Sequence, residues 1–65
     1  MIEFKKRKNR SGFYDVHGEE GLIGYLRGPH RYYFGCYCPD DHLFSSAELR
    51  QIADKLDELN GVKNA

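Results

Sequence analysis

A chain of 65 residues, 40% hydrophobic and 14% aromatic, makes one domain at most. At this size only about 60% of the unfolded chain's surface is buried, so a deep catalytic cleft would compete with the core for the same side chains. Net charge is zero, which excludes the uniformly basic domain expected of a strong nucleic-acid binder, and no apolar run approaches the roughly 20 residues that span a bilayer.

The charge is unevenly spread. Lys5, Lys6, Arg7, Lys8 and Arg10 oppose only Glu3 within residues 1–10, a balance of +4, whereas residues 11–38 carry −1 and residues 39–65 carry −3. The start of the chain has no apolar stretch of the signal-peptide kind. The expected location is the cytoplasm, with Cys36 and Cys38 reduced.

The opening "MIEFKKR" alternates, placing Ile2, Phe4 and Lys6 on one side. Residues 1–10 are therefore either a basic arm or an edge strand whose lysines discourage edge-to-edge pairing. Residues 12–38 hold three short runs, "GFYDVH", "GLIGYLRG" and "HRYYFGCYC", rich in aromatic and branched residues and separated by glycine-containing turns. The connections "HGEEG" and "RGPH" suit hairpins, which makes the runs an antiparallel meander. In the last run Tyr32, Phe34, Cys36 and Cys38 share one face, and Tyr33, Gly35 and Tyr37 share the other. We assign Phe34 and the cysteines to the covered side, Tyr33 and Tyr37 to the open side. Strand 22–27 is apolar on both faces, Leu22 and Leu26 opposing Ile23 and Tyr25, so alternation does not settle which face is buried.

Residues 45–60 read as a helix with both ends marked. Ser45 and Glu48 form a capping box, and Phe44 is placed to staple onto Leu49. Leu49, Ile52, Ala53, Leu56 and Leu59 follow the helical period on one stripe. Asn60 and Gly61 supply the stop, and residues 61–65 are a frayed tail. The expected architecture is α+β: a three- or four-stranded antiparallel meander with one C-terminal helix packed on one face.

Four residues invite a metal reading: His30, Cys36, Cys38 and His42. Their spacing departs from the usual zinc pattern, which separates paired cysteines by two to four residues. On a strand, C-x-C sets the two thiols about 7 Å apart, wide for one tetrahedral ion and for a disulfide within the strand. Two small buried apolar residues explain the cysteines better, so neither metal nor cofactor is expected. Catalysis needs a nucleophile beside a base, and no motif brings Cys36 to His17 or His42. The paired Glu19 and Glu20 lie in a turn, where acidic residues are commonly solvated. The chain is therefore expected not to be an enzyme.

Two binding readings stand. An open sheet face bearing Tyr33, Tyr37, Arg27 and Arg31 resembles the core of a protein interface, in which Tyr and Arg are enriched, and the separated charges would orient a partner. The alternative is a nucleic-acid-binding sheet that uses Lys5, Lys6, Arg7, Lys8 and Arg10 together with the sheet arginines and tyrosines. In element order it resembles sheet-plus-helix DNA-binding domains such as phage integrase arm-binding modules. The balanced charge favours the protein partner, because phosphate binding draws on excess Lys and Arg.

Ile23, Gly24 and Leu26, the aromatics Tyr32 and Phe34, and the segment Glu48 through Asn60 together form an "IG-L" strand, an aromatic strand and an "ELR-IA-KLDELN" helix. In this the chain resembles short uncharacterised β-β-β-α proteins encoded in phages and prophages. That resemblance implies a phage accessory role in the host cytoplasm and carries no functional residues with it.

Overall fold

The structure, a computed structural model, describes residues 2–19, 21–37 and 43–62. Four antiparallel strands form one sheet in the order β1-β2-β3-β4: β1 Glu3–Lys6, β2 Phe13–Gly18, β3 Gly21–Arg27 and β4 Tyr33–Cys36. Helix α1, Ser46–Asn60, follows. The basic start is thus not a free arm. Lys5 and Lys6 pair with Asp15 and Tyr14 in the ladder, and Arg7 donates its backbone N–H to the Phe13 carbonyl at 3.0 Å.

Strand 22–27 buries residues of both parities, for a reason alternation cannot express. Val16 pairs with Gly24 but His17 pairs with Leu22, so Ile23 is an extra residue with no partner on β2. A bulge of this kind shifts the inward–outward pattern by one residue. Ile23 turns into the core at 3% exposure and Leu26 follows at 0%, whereas Leu22 joins His17 on the open face, 44% exposed. Gly24 leaves room at the bulge for the Phe34 ring, which a Cβ there would meet at 2.7 Å.

The core lies between sheet and helix: Ile2, Val16, Ile23, Leu26 and Ile52 are buried, with Phe4, Tyr14, Tyr32, Phe34, Phe44, Leu56 and Leu59 packed around them. Val16 and Leu26 lose all contact with water, worth roughly 1.5–3 kcal/mol each.

Both marked ends of α1 form. The Ser45 side chain accepts from the Glu48 N–H, Glu48 reciprocates on the Ser45 N–H, and Gly61 closes the helix in the left-handed region at φ 71°. The buried stripe, however, is displaced from the expected one. Ile52 is buried and Lys55, Leu56 and Leu59 are half-buried, but Leu49 is 51% exposed and Ala53 is exposed. Glu19 of the β2–β3 turn lines one hollow together with Ser45, Ala47 and Glu48 of the first turn. Lys55 extends the stripe on its other flank: its ammonium lies 5.8 Å from the Phe4 ring and 5.7 Å from the Tyr14 ring, so its stem covers apolar surface. Phe44 is engaged edge-on by Phe34, ring centroids 6.0 Å apart.

Two side-chain amides tie the helix to opposite edges of the sheet. The Ile2 N–H, at the β1 edge, donates to Gln51 Oε1 at 3.2 Å. At the β4 edge, Asn60 accepts from the Tyr32 N–H at 2.7 Å and donates to the Tyr32 carbonyl at 3.1 Å. Nine residues of helix advance about 13 Å, close to the roughly 14 Å across three strand-to-strand gaps. One helix can therefore reach both edges.

Replacing Asn60 by Ala strands two part-buried backbone groups and should cost about 1–3 kcal/mol in urea unfolding. Ile52→Ala should cost about 2–5 kcal/mol, whereas Leu49→Ala should stay within about 0.5 kcal/mol. Equal losses at positions 49 and 52 would show that the helix packs on the stripe expected from periodicity.

Candidate functional site

The helix leaves one face of the sheet uncovered, and the register fixes which residues stand there. Cross-strand partners share a face. The pairs Glu3–His17, Lys5–Asp15, Phe13–Arg27, Asp15–Tyr25, Tyr25–Gly35 and Arg27–Tyr33 therefore all lie on the open side.

This face carries an aromatic cluster of its own. Phe13 and Tyr25 stack with centroids 5.4 Å apart and planes 13° from parallel, and Tyr25 meets Tyr37 at 5.2 Å. The Arg7 and Arg10 guanidinium groups lie 4.4 and 4.9 Å from the Phe13 centroid, leaving Phe13 only 6% exposed. Arg7 Nε also donates to both Asp15 carboxylate oxygens, at 3.2 and 3.0 Å. That hydrogen bond to Asp15 holds the guanidinium above the ordinary arginine pKa; desolvation opposes it, and the Asp15 charge and the Tyr37 hydroxyl add lesser support. Arg7, Phe13, Tyr25 and Tyr37 thus close a ring of contacts. The cluster shields Phe13 and leaves Tyr37 at its border with water.

Gly35 makes the cluster possible. A Cβ there would fall 2.1 Å from the Tyr25 ring, so the strand leaves a glycine-sized seat under it. The Phe13–Tyr25–Tyr37 row was not apparent from periodicity, although the signal existed: a hairpin at "RGPH" sets Tyr25 opposite the one glycine of the aromatic strand.

Beside the cluster lies a shallow depression with Tyr25 and Gly35 at its base and Arg27, Arg31 and Tyr33 on its rim. Three of the four residues expected on the open face meet here. Tyr33 is 64% exposed and both arginines are exposed. Among the described residues neither arginine has a carboxylate within ion-pair distance. Tyr37, at 47% exposure, belongs instead to the aromatic cluster. Of the basic set, Arg7 and Arg10 are held over Phe13, Lys5 stands on the open face 3.9 Å from Glu3, Lys6 points to the helix side of the edge strand, and Lys8 is exposed in the β1–β2 turn.

The other constellations are not assembled among the described residues. His17 stands on the open face and Cys36, the partner of Gly24, on the helix side, so the sheet separates them. His30 is exposed in the β3–β4 connection, and Cys38, His42 and Glu20 lie outside the described residues. No group of three or more His, Cys, Asp or Glu side chains comes together among the described residues, and no helix there is long and apolar enough to cross a membrane.

Gly35→Ala should displace the Tyr25 ring and cost about 1–3 kcal/mol of stability, as overpacking does, with a change in near-ultraviolet circular dichroism. Native mass spectrometry should find no zinc, and a chelator should leave Tm unchanged. Stoichiometric zinc lost on replacing Cys36 and Cys38 by Ser would reverse that expectation.

Neither a family model nor a curated protein nor a solved structure matches this chain.

Proposed function

We propose that this chain is a small non-enzymatic binding module that takes a protein partner on its open sheet face, at the depression rimmed by Arg27, Arg31 and Tyr33. The observation that carries the reading is Tyr33. It is 64% exposed and stands apart from the aromatic cluster, beside two arginines without carboxylate partners among the described residues. A large aromatic ring left in water beside arginines is the composition of an interface centre. Tyr37 contributes from the side and Tyr25 forms the floor. The resemblance to short phage and prophage proteins makes a cytoplasmic accessory role the setting we propose for it.

A second reading has its own observation. Five cations, Lys5, Arg7, Arg10, Arg27 and Arg31, share the open side with the carboxylates of Glu3 and Asp15. Acidic residues gather on the helix, where Glu48, Asp54, Asp57 and Glu58 outnumber Arg50 and Lys55. Zero net charge therefore conceals a basic face, and single-stranded nucleic acid could stack on Tyr33 and Tyr37. The protein reading stands first because two of the five cations are already engaged, Arg7 by Asp15 and Lys5 by Glu3.

The two readings separate on capture from lysate with and without nuclease. A nuclease-resistant partner should be lost with Tyr33→Ala while Tm holds, whereas Tyr37→Ala should lower both binding and Tm. Capture abolished by nuclease, with affinity falling on added salt by about 0.7 log unit per log salt for each single-strand phosphate contact, would replace the protein reading by the second one.

A further inference from the structure

We infer that the outer edge of β4 receives an extended segment of the partner as a fifth strand, and that this segment alternates acidic with apolar side chains. The inference rests on the protein-binding reading above and adds to it the mode and the chemistry of the partner.

The first support is the state of the two sheet edges. The bonds from Tyr37 N–H to Ile23 O and from Arg7 N–H to Phe13 O set the phase of the outer ladders. In an antiparallel ladder the facing groups alternate, so the backbone of Ile2, Phe4 and Lys6 points away from the sheet at β1, and that of Tyr32, Phe34 and Cys36 points away at β4. Gln51 caps Ile2 and Asn60 caps both groups of Tyr32. β1 is further guarded by the charges of Glu3, Lys5 and Lys6, a common defence of edge strands. β4, Tyr33–Cys36, carries no charge. The outward N–H and C=O of Phe34 have no partner among the described residues. An uncharged edge with a free donor and acceptor is the template that strand addition uses.

The second support is what flanks that edge. Side chains of an added strand would fall alternately on the two faces. On the open face they meet Tyr33 and Arg31, with Arg27 one strand further in. On the helix side they meet Phe34, whose ring packs against Phe44. Cations on one side and phenyl rings on the other select acidic and apolar residues in alternation. A second copy of this chain fits less well, because two-fold pairing along β4 would gather Arg27 and Arg31 of both copies on one face.

The test is a titration of the isotope-labelled full chain with a synthetic peptide of alternating Glu and Val, followed by NMR and amide exchange. Exchange at the Phe34 amide should slow about tenfold or more when the peptide is bound. Affinity should fall about tenfold with Arg31→Glu, and an alternating Lys–Val peptide should not bind. N-methylation of the peptide residue opposite Phe34 should abolish the effect. Perturbation confined to Tyr33, Tyr37 and Arg10, with Phe34 exchange unchanged, would overturn strand addition and leave the open-face reading standing. Slowing at Phe34 that grows with protein concentration in the absence of peptide would give the edge to a second copy. Displacement of the bound peptide by a single-stranded oligonucleotide at equal concentration would overturn both the inference and the reading beneath it.

Discussion

One helix has to serve a four-stranded sheet that has two faces and two edges, and the rest of the structure follows from that shortage. A single helix covers one face only. Here it also reaches both edges, because Gln51 and Asn60 extend their amides past the outer strands to the backbone of Ile2 and Tyr32. An amide suits this work, since its oxygen and nitrogen match the carbonyl and N–H that a neighbouring strand would present. Asn60 uses both at Tyr32. The helix ends are also held independently of that docking, by the Ser45–Glu48 box and the Gly61 cap. Capped ends favour the helical state locally, which matters where only Ile52 of its fifteen residues is buried.

The uncovered face is stabilised by different means. Phe13, Tyr25 and Tyr37 would be an exposed apolar patch if left alone, yet Arg7 and Arg10 lie across Phe13 and bring it to 6% exposure. Guanidinium groups are well fitted to this role, being planar, weakly hydrated and able to stack on a ring while keeping hydrogen bonds at their edge. Arg7 does both at once, lying over Phe13 and bonding Asp15. The β1–β2 hairpin is therefore a lid of charge over an aromatic layer. Stability on this face and basicity on this face come from the same side chains.

The elements themselves were legible in the sequence because local chemistry defines them: capping box, glycine stop, short hairpin turns and alternating aromatics. What alternation could not reveal was the bulge at Ile23, since one extra residue reverses the inward pattern on one side of it and leaves Leu22 outside. The helix stripe was legible only in part. Periodicity identifies Leu49 as apolar and in phase, but whether it meets the sheet depends on where along its length the helix crosses, and Gln51 at the β1 edge sets that point. For the site, Tyr33 was readable from parity, whereas the face of Arg27 depended on its pairing with Tyr33, and the separation of Tyr37 into the aromatic cluster depended on three-dimensional contact with Tyr25.

Net charge is a poor guide in a molecule this thin. With only two layers, the described charged side chains belong to the sheet's outer face, to the helix's outer face or to an edge, and Coulomb interactions at the surface fade over a screening length of about 8 Å at physiological salt. A ligand on the open face is therefore governed by the arginines beside it and only weakly by Asp54 and Glu58 on the far side of the core. The zero balance that argues against nucleic acid at the level of the chain loses that force at the level of the face. What still separates the two ligand classes is how the cations are arranged. Arg7 and Arg10 are committed to Phe13, which leaves Arg27 and Arg31 grouped around Tyr33 at one corner of the sheet, next to the backbone of Phe34, which has no outward partner among the described residues. A phosphate backbone is served by cations along a track, and it is the grouping of two arginines and one tyrosine at a corner that leads us to propose a short peptide instead.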